Sequence, residues 1–153
     1  MTNIRIYLDN CAYNRPFDDK GQLAVRMEAD AKLKIQSDIR DGVYELVWSY
    51  MNEYENDENP YDEKREAIGI WEYIAACICL PDEKILERGK QMQDIGIRPK
   101  DALNLACAIE SGCQYFITTD KFLLKKARLI SETGVINPID FIRNEERNDA
   151  ASY

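Results

Sequence analysis

The sequence contains no histidine. Histidine is a common general base and metal ligand, so its absence excludes Ser-His-Asp triads, histidine general bases and histidine-ligated metals. Any hydrolytic chemistry must therefore rely on carboxylates, and the chain has 28 Asp and Glu residues against 20 Lys and Arg residues. Carboxylate sites favour hard ions such as Mg²⁺ and Mn²⁺.

Long apolar runs are also lacking. No segment approaches the roughly 20 apolar residues needed to cross a bilayer. Residues 1–7 have no apolar stretch of the kind that a signal peptide requires. We therefore expect a cytoplasmic protein. The length of 153 residues fits one domain with a hydrophobic core of its own.

Cysteine is present, but not in a pattern that predicts disulfides. The odd count of five and the apolar surroundings argue against a disulfide framework. Cys77 and Cys79 could form half of a zinc site, but there is no second close pair and no histidine to complete it. We interpret the thiols as small buried hydrophobic groups.

Predicted strands and helices alternate along the chain. The hydrophobic patterns predict strands at 4–10, 43–48, 78–80, 115–119 and 134–137. They predict helices at 22–40, 49–59, 61–76, 82–95, 100–110 and 121–127. After Ile142 the sequence is polar, and we expect a frayed tail there. The alternation predicts an α/β fold with a mainly parallel sheet covered on both faces.

Four acidic residues are candidates for a shared site at the carboxyl edge of this sheet, where open α/β sheets bind ligands. Asp9 and Asp120 end strands, Glu53 lies in the helix after the second strand, and Asp101 lies in the first turn of its helix. Clustered carboxylates repel one another unless a cation binds between them. Helix capping is the alternative role for each acid, and Glu55 could serve in place of Glu53.

Polar residues next to these acids could support the site, and basic residues nearby could contact a substrate. The supporting candidates carry amide or hydroxyl groups and are Asn10, Asn104, Thr118 and Thr119. The basic candidates, which could guide a phosphate backbone, are Arg15, Arg98, Lys100 and Lys121. A solvated helix face is the alternative for the basic group. The net charge of −8 argues against strong nonspecific nucleic-acid binding.

The local sequences around the four acids, IYLDN, WSYMNE, KDALNLACA and FITTDKF, resemble the PIN domain family in order, spacing and flanking residues. The resemblance implies a three-layer α/β/α sandwich with a short, mainly parallel sheet, formed by residues 1–143 and followed by a polar tail, 144–153. It implies an Mg²⁺- or Mn²⁺-dependent ribonuclease with Asp9, Glu53, Asp101 and Asp120 as metal-site residues. It also implies an RNA substrate, a small antitoxin partner and a homodimer.

The sequence departs from the family pattern directly after Asp9. Residues 10–19 replace the usual small hydroxylated residue and simple helix start, and we expect this segment to reshape the substrate entrance. A second hypothesis is a PIN-like module that binds RNA or protein with weak or no catalysis. A third is an aspartate-based phosphotransfer enzyme. The third lacks support, because no second acid follows Asp9 at the spacing that such enzymes need.

Overall fold

The computed structural model describes residues 3–13 and 22–151, with side chains through residue 148. The described strands are β1 (Ile4–Leu8), β2 (Tyr44–Ser49), β3 (Cys77–Cys79), β4 (Tyr115–Ile117) and β5 (Gly134–Ile136). The described α-helices are α1 (Leu23–Arg40), α2 (Tyr50–Asp57), α3 (Asp62–Gly69), α4 (Trp71–Ile74), α5 (Glu83–Asp94), α6 (Pro99–Glu110), α7 (Lys121–Lys125) and α8 (Pro138–Ala151). Short 3-10 turns lie at Asn10–Ala12 and Ala127–Leu129.

The strands form one sheet in the order β3-β2-β1-β4-β5, and every neighbouring pair is parallel. The chain first builds one half of the sheet outward from β1 and then returns to build the other half. The strand order therefore reverses between β1 and β4. This reversal opens a crevice at the carboxyl ends of these two strands, which is where open α/β sheets bind ligands. The predicted parallel α/β architecture is confirmed.

Two hydrophobic clusters cover the two faces of the sheet. Along β1, Ile6 and Leu8 belong to one cluster and Tyr7 to the other, because successive strand residues point to opposite faces. The first cluster includes residues of α1, α3, α4 and α8, and the second includes residues of α2, α5, α6 and α7. The molecule is therefore a three-layer α/β/α sandwich.

The predicted helix over 61–76 is interrupted. The structure has two helices, α3 and α4, that meet at Gly69 and Ile70. Glycine is a poor helix former because it loses the most backbone freedom on ordering. Ile68 and Trp71, on either side of the break, both lie in the core, where they are 5% and 3% exposed.

The polar segment after Ile142 is helical, so the prediction of a frayed tail is wrong. Asn137 and Asp140 exchange side-chain and backbone hydrogen bonds that cap α8, and Pro138 occupies its first position. Phe141 is fully buried and anchors the helix to the sheet. Among the described helices, none is long and apolar enough to span a membrane.

Candidate functional site

Asp9 lies directly after β1, at the crevice. One carboxylate oxygen accepts a hydrogen bond from the Thr118 hydroxyl at 2.8 Å, and the other accepts one from the Asn10 backbone N–H at 2.9 Å. The residue is only 9% exposed. Burial raises the pKa of Asp9 above its usual range, and the nearby charge of Asp101 acts in the same direction. The helix-capping alternative is also realised, since Asp9 caps the turn Asn10–Ala12.

Asp101 and Asp120 face each other across the guanidinium of Arg98. The Arg98 Nη2 atom lies 2.9 Å from Asp101 Oδ2 and also contacts the Asp120 carboxylate. Asp120 additionally caps α7 by accepting from the backbone N–H groups of Phe122 and Leu123. Burial raises the pKa of Asp101, and the repulsion of Asp120 adds to this, whereas Arg98 opposes it.

The acid that α2 brings to the site is Glu55. Its carboxylate accepts a hydrogen bond from the Asn104 amide at 2.9 Å. Burial raises the pKa of Glu55 to about 7, and the negative charges of Asp9 and Asp101 contribute to this rise. Glu55 therefore lies within electrostatic range of Asp9 and Asp101.

Glu53, the predicted residue on this helix, is not brought to these acids. It is exposed, and two residues along an α-helix correspond to about 200° of rotation, so Glu53 and Glu55 point to nearly opposite sides. A signal for Glu55 was present in the sequence. The apolar Met51, which is 5% exposed, defines the inward face of α2, and Glu55 follows it by four residues on the same face.

A buried polar network fixes the elements beneath the acids. The Tyr7 hydroxyl donates to the Asn104 side-chain oxygen and lies 2.6 Å from the Ser49 hydroxyl. Ser49 and Asn52 form the capping box of α2, and the Asn52 amide donates to the Leu8 carbonyl at 3.1 Å. The network therefore joins β1, β2, α2 and α6, and it directs the Asn104 amino group toward Glu55.

The other supporting residues contribute in different ways. Thr118 is fully buried, and its hydroxyl both donates to Asp9 and accepts from the Asp120 backbone N–H at 3.1 Å. Asn10 exchanges hydrogen bonds with Asn52. The Thr119 backbone N–H donates to the Cys11 thiol at 3.4 Å. Thr118 thus links two of the acids directly.

The basic candidates differ in how close they come to the acids. Arg98 lies between Asp101 and Asp120, and its guanidinium carbon lies 4.7 Å from the centre of the Phe122 ring. Lys100 is exposed and pairs with Glu58 at 3.4 Å. Lys121 is exposed at the start of α7. Arg15 lies outside the described residues, as does most of the segment expected to reshape the substrate entrance.

The donor set fits a hard divalent ion, because it consists of carboxylate and amide oxygens. Burial is the main cause of the raised pKa values of Asp9, Glu55 and Asp101, and repulsion between neighbouring carboxylates adds to it. Within residues 3–13 and 22–151, however, no three acidic or thiol side chains lie close enough together to coordinate one ion in their present positions. Hydrogen bonds from Thr118, Asn104 and Arg98 hold the carboxylates instead.

The raised pKa of Glu55 predicts how stability depends on pH. A carboxyl group whose folded pKa is about 7, against an ordinary 4.5, contributes stability below its ordinary pKa and loses that contribution as the pH rises through 7. We expect the metal-free protein to lose thermal stability between about pH 5 and pH 8. The Glu55→Gln variant should lose less over this window than Glu53→Gln, as measured by melting curves in a chelator. Equal pH dependence in the two variants would contradict the placement of Glu55.

Comparison with known proteins bears on the fold. No protein-family model and no curated protein matches the chain. Among solved structures, it is similar to VapBC2 from Rickettsia felis bound to a DNA fragment from their promoter (14% identity, TM-score 0.55), with 88% of this chain and 98% of that chain covered. It is similar to FitAcB from Neisseria gonorrhoeae (15% identity, TM-score 0.57), with 87% and 97% covered.

A third similar structure is VapBC-1 from nontypeable Haemophilus influenzae, with 16% identity, a TM-score of 0.55, and 88% of this chain and 98% of that chain covered. Identities this low establish the fold and not the activity. The alignments span nearly the whole of each matched chain, so they concern the entire domain and not a shared fragment. The chain therefore has the PIN-like fold that its sequence motifs resemble.

Proposed function

We propose that the chain is a ribonuclease that depends on Mg²⁺ or Mn²⁺ and holds the ion with Asp9, Glu55, Asp101 and Asp120. The observation that carries the proposal is the convergence of carboxylates from four separate parts of the chain at the reversal of strand order. Arg98 offsets the repulsion between Asp101 and Asp120, and the repulsion that involves Asp9 and Glu55 has an energetic cost unless a further cation is bound. Asp9, Asp101 and Asp120 are residues that the sequence motifs indicate, and Glu55 takes the place of Glu53.

The described side chains have distinct roles in this proposal. A bound divalent ion supplies Lewis acidity for hydrolysis of a phosphodiester. Thr118 orients Asp9, and Asn104 orients Glu55, through the hydrogen bonds that they donate. Such supporting contacts commonly change metal affinity or activity by about 10- to 100-fold. Lys100 and Lys121 are exposed beside the acids, where they can contact the RNA backbone.

The solved structures of similar fold support a further part of the proposal. They are VapBC2, FitAcB and VapBC-1, and the PIN domain family that the sequence motifs resemble includes toxins that small antitoxins neutralise. We extend this to the present chain as a toxin whose activity a small antitoxin protein restrains, and which forms a homodimer. A reading frame for a small protein directly beside its gene would support this role.

RNA cleavage tests the activity. The purified chain, incubated with mixed RNA and Mn²⁺, should cleave the RNA, and a chelator should stop the reaction until Mn²⁺ is restored. Inactivity toward single-stranded and structured RNA, with either Mg²⁺ or Mn²⁺, would overturn the ribonuclease proposal. RNA binding without cleavage would instead support the hypothesis of a PIN-like binding module.

A further inference from the structure

Arg98 contacts two of the acids that we propose as metal ligands. Its Nε and Nη2 atoms lie 3.0 Å and 2.9 Å from Asp101 Oδ2, and Nη2 also donates to Asp120 Oδ2. The two acids come from the start of α6 and from the turn after β4, so the guanidinium joins elements that are distant in sequence. One monovalent side chain thus supplies positive charge at the point where we propose that a divalent ion binds.

The place of Arg98 in its helix does not explain this arrangement. Arg98 is the N-cap residue of α6, directly before Pro99 at the first helical position, and its side chain makes no capping hydrogen bond. N-cap positions favour Ser, Thr, Asp and Asn, and the positive end of the helix dipole disfavours a cation there. The side chain is therefore stabilised by the two carboxylates and by the Phe122 ring, whose centre lies 4.7 Å from the guanidinium carbon.

Asp120 uses one carboxylate oxygen for the following helix and the other for Arg98. Its Oδ1 atom accepts from the backbone N–H groups of Phe122 and Leu123, and its Oδ2 atom accepts from Arg98. A divalent ion that binds Asp120 without breaking the α7 cap must therefore use Oδ2. The ion and the guanidinium would then share one oxygen atom, and two cations at so short a separation repel each other. Asp101 Oδ2 presents the same conflict, because both Nε and Nη2 of Arg98 contact it.

Arg98 can leave the carboxylates without disturbing the core. Its side chain is 53% exposed, and the Phe122 ring beside it is 43% exposed. Exposed side chains change rotamer on the picosecond-to-nanosecond timescale, so their movement does not limit the binding of an ion. The Phe122 ring attracts cations and offers the displaced guanidinium a contact at the edge of the site.

We infer that Arg98 is a built-in competitor of the metal: its guanidinium occupies the oxygens of Asp101 and Asp120 that a divalent ion needs, and metal binding displaces it. The inference rests on the metal site of the proposed function. The chain binds a divalent ion only from conformations in which Arg98 has left the two acids. If such conformations make up about a tenth of the population, the apparent affinity for the ion is about tenfold weaker than that of the open site.

Calorimetry with Mn²⁺ and no RNA tests the competition on the full-length chain. Arg98→Gln should bind Mn²⁺ about tenfold more tightly than the unsubstituted chain, because no guanidinium has to be displaced. Lys100→Gln is the matched control, since it also removes one positive charge within electrostatic range of Glu55. The ion-pair partner of Lys100 is Glu58, at 3.4 Å. The Mn²⁺ affinity of Lys100→Gln should therefore change by less than about threefold.

Nuclear magnetic resonance with the diamagnetic ion Mg²⁺ observes the displacement directly. The Arg98 Nε–H signal is identified by its disappearance in Arg98→Gln. Because Nε donates to Asp101 Oδ2, saturating Mg²⁺ should shift this signal and speed the exchange of its proton with water.

The outcomes separate the competition from the proposed function. If Arg98→Gln binds Mn²⁺ no more tightly than Lys100→Gln, or if bound Mg²⁺ leaves the Arg98 signal unchanged, the competition is overturned and the metal site stands. If neither the unsubstituted chain nor Arg98→Gln binds a divalent ion, both the metal site and the competition are overturned. If Arg98→Gln binds Mn²⁺ more tightly and the unsubstituted chain never cleaves RNA, the competition is supported and only the nuclease proposal is overturned.

Discussion

Glu55→Gln should reduce Mn²⁺-dependent RNA cleavage by about 100-fold or more, a loss of at least about 2.7 kcal/mol of transition-state stabilisation. The substitution keeps the shape of the side chain and removes its charge. Glu55 is half-buried, hydrogen-bonded to Asn104, and under the repulsion of Asp9 and Asp101. Loss of its charge therefore removes a metal-site carboxylate with little change in packing.

Glu53→Gln is the matched control for this measurement. It makes the same chemical change two residues away on the same helix, at an exposed position, so cleavage should stay within about twofold of the unsubstituted chain. Rates should be measured at saturating Mn²⁺, and Mn²⁺ affinity by calorimetry, so that weak metal binding is separated from slow chemistry. A large loss in Glu53→Gln with normal activity in Glu55→Gln would reverse the assignment.

Phe141→Ala should lower the free energy of unfolding by about 3–5 kcal/mol. Phe141 is fully buried. Its ring packs edge-on against Tyr44 and Tyr115, each at 5.2 Å between ring centres. The substitution removes both aromatic contacts and leaves a cavity where α8 meets β2 and β4.

Chemical denaturation checks this prediction. Arg143→Ala, at an exposed position on the same helix, should change the free energy of unfolding by less than about 0.5 kcal/mol. If Phe141→Ala left the free energy of unfolding nearly unchanged, α8 would not contribute to the core. That result would agree with an expectation drawn from the polar second half of α8 and would contradict the burial of Phe141.

The sequence predicted the fold well because the hydrophobic pattern distinguishes strands from helices. Strands that are buried on two faces and helices that are buried on one face have different hydrophobic periods in the sequence. It predicted the terminal helix poorly because only its first turns carry apolar residues. The cap formed by Asn137, Pro138 and Asp140 was the available signal. The hydrophobic period continues across the break between α3 and α4, because Ile68 and Trp71 are three residues apart and share a helix face, so the period alone did not predict the break.

The site was predictable to a similar extent. Asp9 and Asp120 follow strands directly, so their positions come from the sheet itself. Asp101 depends on where α6 begins relative to the crevice, which Pro99 at the first helical position marks. The ion pairs of Arg98 were predictable only in part. The pair with Asp101 is local to the start of α6, whereas the pair with Asp120 joins α6 to the end of β4, which is distant in sequence.

From the sequence alone, the absence of histidine determined that any hydrolysis here must be carboxylate chemistry. The acidic residues at the ends of the predicted strands determined that this chemistry would lie at the carboxyl edge of a parallel sheet. Which acid of α2 joins Asp9, Asp101 and Asp120 was decided only by the tertiary structure. The rotation of α2 about its axis is set by the burial of Met51 and by the Ser49 cap bonded to Tyr7. That rotation turns Glu55 toward Asn104 and leaves Glu53 in solvent.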